Sequence, residues 1–131
     1  MRDRPCGGAN FLVGFGAGDA RAASAGFSEV IFPTFTLEPG DPGAGQSLVL
    51  KRGVTGSLDL YAWWNKARRG KAPQRRSVKV ELLGEDQTSV VLTWHFRNAR
   101  PVSLSYSPLN ALEGSIVIET LELAFDRMEM A

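Results

Sequence analysis

The chain has 131 residues and 44% hydrophobic content, which predicts one domain, residues 1–131, with a core of ordinary size. Its 15 basic and 14 acidic side chains give a net charge of +1, too weak a field to favour sequence-specific nucleic-acid binding or an anionic membrane as partner. Residues 1–9, with the one cysteine Cys6, are expected to form a flexible leader, and no run approaches the roughly 18 apolar residues of a membrane span.

Turn-forming residues interrupt the first third of the chain. The 14 Gly and seven Pro among short apolar runs favour a mainly β (α+β) fold. Strands are predicted over residues 10–15 and 26–32. Residues 38–46 are rich in proline, which lacks the N–H donor, and in glycine, which carries the largest backbone entropy cost. We expect a surface loop or arm there.

The middle of the chain predicts a strand, a turn and a helix in succession. The strand covers residues 47–51, Lys51-Arg52-Gly53 forms the turn, and the helix covers about residues 58–69. Four side chains of the helix recur at the i, i+3, i+4 and i+7 spacing that places them on one face, and they are Leu60, Trp63, Trp64 and Ala67. We interpret the two tryptophans as core and interface anchors.

The ends of this helix carry recognisable signals. Ser57 or Asp59 is expected to cap its first turn, because their side-chain oxygens accept hydrogen bonds from free backbone N–H groups. Gly70 stands where a left-handed terminating residue is needed. The helix is therefore predicted to end just before residue 70.

Alternating apolar and polar residues predict further strands. Residues 76–83 and 89–98 form a hairpin around a turn at 84–87, with Leu92, Trp94 and Phe96 on one face. A further short strand is predicted over residues 102–106. The pattern indicates an antiparallel arrangement.

Residues 115–125 form the longest strand candidate. Leu121, Leu123 and Phe125 share one face with Glu119, whereas Ile116 and Ile118 share the other face with Glu122. A strand that is apolar on both sides is expected where one side packs in the core and the other is covered, possibly by a neighbouring subunit.

Residues with catalytic potential are too scattered to define a site. His95 is the only histidine, and no neighbouring nucleophile or orienting group accompanies it, so we interpret it as a strand histidine at the surface or an interface. The glycines of residues 14–18 lack the spacing and βαβ context of a dinucleotide site. One histidine and one cysteine cannot form the usual zinc site. We expect no catalytic, cofactor or metal residue.

One dense basic cluster follows the helix. One interpretation is a solvated helix end and loop. The other is a functional surface, which would either make polar contacts between subunits or rings or line the lumen of a channel. The cluster comprises Arg68, Arg69, Lys71, Arg75 and Arg76.

Four segments together resemble a known family. Residues 48–70, 96–101, 108–112 and 118–124 are similar, in order, to the tail-tube proteins of contractile phages and phage-derived contractile injection systems. The resemblance implies a small antiparallel β-barrel or sandwich with one helix, a fold shared with the type VI secretion tube protein. It also implies a turn over residues 98–101. It also implies a structural role without catalysis.

The resemblance implies homohexameric rings stacked around a channel that carries DNA or protein cargo. It implies contractile sheath, baseplate and cap proteins as partners, and a protein assembled in the cytoplasm as part of a virion tail or injection particle. The residues predicted to have interface or structural roles are Lys51, Arg52, Trp63, Trp64, Ile116, Ile118, Glu119 and Glu122.

This chain differs from the family in one segment. In the family, the segment before the Leu50-Lys51-Arg52-Gly53 match is longer and forms an arm that contacts neighbouring subunits. The short segment here leaves a second hypothesis open, a tube initiator or baseplate-proximal adaptor ring. Two alternatives from other functional classes are a small-ligand-binding β-barrel and an enzyme with an unrecognised site. A monomer would favour the binding module, whereas rings would favour the tube.

Overall fold

A computed structural model describes residues 7–8, 10–16, 27–37, 47–70 and 75–131. This part of the chain contains mainly β-structure and one short helix, which confirms the predicted fold class. The predicted arm, residues 38–46, lies outside the described residues, as does most of the predicted leader. The elements are β1 (Phe11–Phe15), β2 (Phe27–Ile31), β3 (Ser47–Gly53), α1 (Asp59–Arg68), β4 (Arg76–Leu83), β5 (Val90–Tyr106), β6 (Ile118–Ala124) and β7 (Arg127–Met130).

The strands pair antiparallel in the order β1-β4-β5-β6-β3-β2, and β7 pairs with β5. The two ends of this order come back together, because the Phe15 and Phe27 rings meet with centroids 5.9 Å apart. Among the described residues, β1 and β2 share no backbone ladder. The sheet therefore curves toward a barrel but remains open between these two strands.

Strand β5, with 17 residues, pairs with three other strands. Its first part pairs with β4 and its second part with β6, so both halves of the sheet share it. Strands β6 and β7 pair with two successive parts of β5. Strand β6 pairs with residues 100–106 and β7 with residues 94–97. This continuity joins the two halves of the sheet.

The turn predicted at residues 98–101 is wrong, since β5 continues through it. Asn98 adopts a positive φ of 55° and bends the strand without reversing the chain. A register shift between Pro101 and Ser103 accommodates the proline. The sequence signal for a turn was therefore a signal for a bend.

Two other boundaries also differ from the sequence predictions. Lys51-Arg52-Gly53 lies within β3, paired with β6, and does not form a turn. Strand β6 begins at Ile118 instead of residue 115. The short final strand β7 was not predicted, because its alternating polar residues Arg127 and Glu129 carry little apolar signal.

The core lies between the inward faces of the two halves of the sheet, and α1 closes one end. Phe96 and Phe125 pack edge to face with centroids 4.9 Å apart, and Trp63 contacts Phe15 at 5.5 Å. The fully buried aliphatic side chains around them are Val13, Leu48, Leu50, Leu60, Val78, Val80, Leu121 and Leu123.

Helix α1 ends as predicted but begins differently. Gly70 has a φ of 68°, and its N–H bonds to the carbonyl of Ala67 at 3.2 Å. The N-cap residue is Leu58, whose side chain cannot cap. The Asp59 carboxylate instead accepts the N–H of Leu60 at 2.8 Å from inside the first turn.

Candidate assembly surfaces

A buried charge network joins α1 to the sheet. The Arg52 guanidinium donates from Nε to Glu119 Oε1 at 2.9 Å and from Nη1 to Asp59 Oδ2 at 3.3 Å. Tyr106 donates its hydroxyl to Glu119 Oε2 at 2.7 Å. Arg52 and Glu119 are each 4% exposed. Each buried charge therefore has a hydrogen-bonded partner of opposite sign or a hydroxyl donor.

The pKa directions in this network follow from the same contacts. Burial would lower the pKa of Arg52, but hydrogen bonds to Asp59 and Glu119 outweigh it and raise that pKa. Burial would raise the pKa of Asp59, but its bonds to Arg52 and Ser57 lower it. Hydrogen bonding to Glu119 raises the pKa of Tyr106 to about 12. All three groups hold their ordinary charge states near neutral pH.

The predicted interface or structural residues divide into two groups by burial. Arg52, Trp63 and Glu119 lie inside the subunit, where they connect α1, β3 and β6. Trp64 is half-buried on the same helix. The remaining residues of the set are partly or fully exposed.

The outer face of β2, β3, β6 and β5 carries a row of charged and polar residues. Glu29, Lys51, Thr120 and Ser105 stand opposite one another in register across the four strands. They border an open hollow of about 410 Å³. Ile118 lines the same hollow. Polar residues therefore occupy much of a face that the sequence pattern predicted to be covered.

Glu122 belongs to the neighbouring register of the same face. Its carboxylate accepts a hydrogen bond from Ser103 Oγ at 3.0 Å. Val49 stands opposite it on β3. Glu119 and Glu122 point to opposite sides of β6, so the two carboxylates do not form a pair.

Ile116 lies outside β6 and is 76% exposed. It belongs to the β5–β6 loop, residues 107–117, with Leu109 and Leu112, which are 84% and 97% exposed. The strand predicted over residues 115–125 includes Ile116. Its place in an apolar loop was missed, although three large aliphatic residues within eight positions were a readable signal.

The basic cluster is divided by its contacts. The Arg76 guanidinium lies over the Trp63 ring at 5.0 Å, and Arg75 Nη1 lies 3.4 Å from Asp126 Oδ2. Arg68 donates to Asn65 Oδ1 at 2.9 Å. Arg69 is exposed, and Lys71 lies outside the described residues. Three of the five cations thus contribute contacts within the subunit, and Arg68 does so within its own helix.

A polar corner beside the β5 bend was not predicted from the sequence. Asp126, between β6 and β7, accepts hydrogen bonds from Asn98 at 3.1 Å and from Arg100 at 2.9 Å. Its backbone N–H bonds to the carbonyl of Arg97 at 3.0 Å. The bond from Arg100 is the main cause that lowers the pKa of the Asp126 carboxyl. These contacts hold the break between β6 and β7 against the bend.

The described residues do not assemble a reactive site. Within the described residues, no three His, Cys, Asp or Glu side chains converge as metal ligands. No helix of the described part is long and apolar enough to cross a bilayer. His95 lies on β5 between Lys79 and Glu129 of the adjacent strands. The described geometry offers no assembled nucleophile and base around it.

Fold and surfaces together define a small antiparallel β protein whose charged interior has a structural role. The chain belongs to the T4-like virus tail tube protein gp19 family, whose model matches residues 41–129. This membership confirms the predicted resemblance and identifies a structural tube-type protein. No curated protein sequence gives a significant match.

Solved structures share the fold across nearly the whole chain. A protein of the PVC extracellular contractile injection system sheath–tube complex has a TM-score of 0.78 at 21% identity, covering 98% of this chain and 93% of that one. One from the PVC sheath/tube terminator has a TM-score of 0.81 at 21% identity, covering 100% and 99%. One from the anti-feeding prophage baseplate has 0.70 at 25% identity, covering 99% and 97%.

Proposed function

We propose that this protein forms homohexameric rings that stack into the inner tube of a contractile phage tail or injection particle. The observation that carries the proposal is the tail tube family match over residues 41–129. The similar fold of the PVC sheath–tube protein supports it, since the alignment covers 98% of this chain. Assembly takes place in the cytoplasm, and the channel passes DNA or protein cargo.

The partners of such a tube are a contractile sheath, a baseplate and a cap. Structural neighbours from a sheath–tube complex, a tube-terminating cap and a baseplate support this set of partners. A near-neutral subunit, with a net charge of +1, is suited to close packing of many copies because long-range repulsion between them is weak. The role is structural, without turnover of a substrate.

The oligomeric state tests the proposal directly. Sedimentation of the purified chain at increasing concentration should show a species of six times the 14.2 kDa subunit mass. Negative-stain images should show six-fold rings with a central hole. A monodisperse monomer at every concentration would contradict the proposal and favour a small-ligand-binding β-barrel.

A second candidate is a specialised ring at one end of the tube, either an initiator or a baseplate-proximal adaptor. Two observations favour it: the short segment 38–46 and the similarity to tube-terminator and baseplate proteins. Binding to purified ends of assembled tubes separates the candidates. A specialised ring would occupy only tube ends, whereas the main subunit would be incorporated along the entire length.

A further inference from the structure

Arginine side chains outnumber the carboxylates they contact where β5 bends. The Glu129 carboxylate accepts a hydrogen bond from Arg97 Nε at 2.8 Å, and Arg127 Nε lies 3.9 Å from its other oxygen. Arg97 and Arg127 stand opposite each other in the ladder between β5 and β7. Since one carboxylate carries one negative charge, it cannot neutralise both guanidinium groups.

A second group of the same composition adjoins the first. Asp126 accepts hydrogen bonds from Arg100 Nη1 at 2.9 Å and from Arg75 Nη1 at 3.4 Å. The Asp126 N–H bonds to the carbonyl of Arg97 at 3.0 Å, which places the two groups side by side. Together they are here called the arginine corner, which consists of Arg75, Arg97, Arg100, Arg127, Asp126 and Glu129.

The arginine corner carries uncompensated positive charge at the surface. Its four arginines and two carboxylates give it a net charge of +2, on a chain whose net charge is +1. The four arginine side chains are 36–71% exposed. A guanidinium group has several N–H donors, and the bonds within the described part of the chain leave most of these donors open to solvent.

The two carboxylates hold the arginines in position. The bond from Arg100 lowers the pKa of Asp126, and the bond from Arg97 lowers the pKa of Glu129, so both carboxylates are ionised near neutral pH. A guanidinium group that is already held by an internal bond loses less side-chain freedom when it binds a second carboxylate. The corner is therefore prepared for a further anionic group.

We propose that the arginine corner binds a carboxylate-rich segment of a partner protein. Guanidinium groups match carboxylates, because two parallel N–H···O bonds can form between these planar groups. Two Asp or Glu side chains of the partner would balance the net charge of the corner. A nucleic-acid backbone fits less well, since its continuous row of phosphates would also meet the two resident carboxylates. The inference goes beyond the proposed function and does not depend on ring formation.

Binding of an acidic peptide to the full chain tests this inference. Fluorescence anisotropy measures the dissociation constant of a fluorescein-labelled oligoglutamate peptide. The double variant Arg97→Gln with Arg100→Gln should weaken binding at least about threefold. The matched control is Arg68→Gln with Arg69→Gln, which makes the same charge change at the exposed end of α1 and should leave binding unchanged. Equal weakening in both double variants would overturn the inference, because binding would then follow total charge.

A single variant keeps the test decisive if the first double variant unfolds. The Arg127 side chain is 71% exposed, and its 3.9 Å separation from Glu129 is too long for a hydrogen bond. Arg127→Gln should therefore keep the parent melting temperature and weaken peptide binding at least about twofold. Unchanged peptide binding in this variant would overturn the inference.

The same assay separates the inference from other outcomes. Absence of peptide binding at low salt would overturn it. Equally tight binding of a single-stranded DNA oligonucleotide of the same charge would overturn it in favour of a phosphate site. Six-fold rings without peptide binding would leave the proposed function intact, whereas peptide binding by a chain that forms no rings would leave this inference intact.

Discussion

At the scale of single residues, burial decides which of the polar and aromatic groups hold the subunit together. Arg52 and Glu119 are buried together, so each neutralises the charge of the other, which would otherwise be buried without a partner. Asp59 extends the pair to the first turn of α1. The network therefore fixes where the helix begins against the sheet.

Glu119→Ala should strongly destabilise the protein. It removes the buried partner of Arg52, and breaking a buried pair in this way typically costs about 3–5 kcal/mol of unfolding free energy. A double variant, Arg52→Met with Glu119→Leu, should recover much of this loss, because it removes both charges and retains side-chain volume. Urea unfolding of the three proteins gives the comparison. Equal losses in the single and double variants would contradict this account.

Trp63→Ala should be more damaging than Trp64→Ala. Trp63 is 1% exposed and packs between Phe15 and the Arg76 guanidinium, and truncation of such a buried aromatic typically costs about 3–5 kcal/mol. Trp64 is only half-buried and serves as the matched control. Thermal melts followed by circular dichroism should show the larger shift for Trp63→Ala, and the reverse order would refute the packing of α1.

At the scale of elements, the bend in β5 allows one strand to serve both halves of the sheet. Asn98 takes a left-handed conformation that β-branched residues rarely adopt. Its side chain donates to Asp126, which lies at the break between β6 and β7. Bend and break therefore coincide, and the two paired strands turn together.

Asn98→Val should destabilise the protein more than Asn98→Gly. Both substitutions remove the hydrogen bond to Asp126, but only valine is strained at a φ of 55°, which typically adds about 1–3 kcal/mol. Glycine adopts this conformation without a Cβ clash. Chemical denaturation measures the difference, and equal losses would show that the backbone conformation contributes little.

Acid should weaken the same corner. The bond from Arg100 holds the pKa of Asp126 below its ordinary value, so the stability it contributes is present above about pH 4 and is lost as pH falls through the folded-state pKa. Asp126→Asn should therefore flatten the fall in stability below about pH 4. Glu113→Gln, an exposed carboxylate of the β5–β6 loop, is the control. Parallel pH profiles for parent and Asp126→Asn would contradict this expectation.

At the scale of the whole molecule, tube growth requires contacts along the tube axis in addition to ring closure. Long arms can supply such area, and stable contacts need upward of about 1,000 Å² in total. With only residues 38–46 available as an arm, we expect the protein alone to give rings or short stacks. A longer arm inserted between Leu37 and Ser47 should promote stacking. Long regular tubes of the unmodified protein in electron micrographs would identify it as the ordinary repeating subunit.

The amino-acid sequence by itself determined the local elements. Period-2 alternation predicted β4, and the spacing of Leu60, Trp63, Trp64 and Ala67 predicted α1. Such patterns depend only on which side of the element faces the core, so they can be recognised without knowing the rest of the fold. The positive φ at Gly70 was predictable for the same reason: it depends on the backbone of one turn.

Only the tertiary structure decided how distant residues combine. The partnership of Arg52 and Glu119 spans 67 positions, and no local period encodes it. The Asn98 signal is ambiguous in sequence, since a left-handed residue suits a turn and a bend equally well. In the folded protein, β5 pairs with β4, β6 and β7, which requires a bend at Asn98. A turn that reversed the chain there would leave backbone hydrogen-bonding groups of these strands without partners.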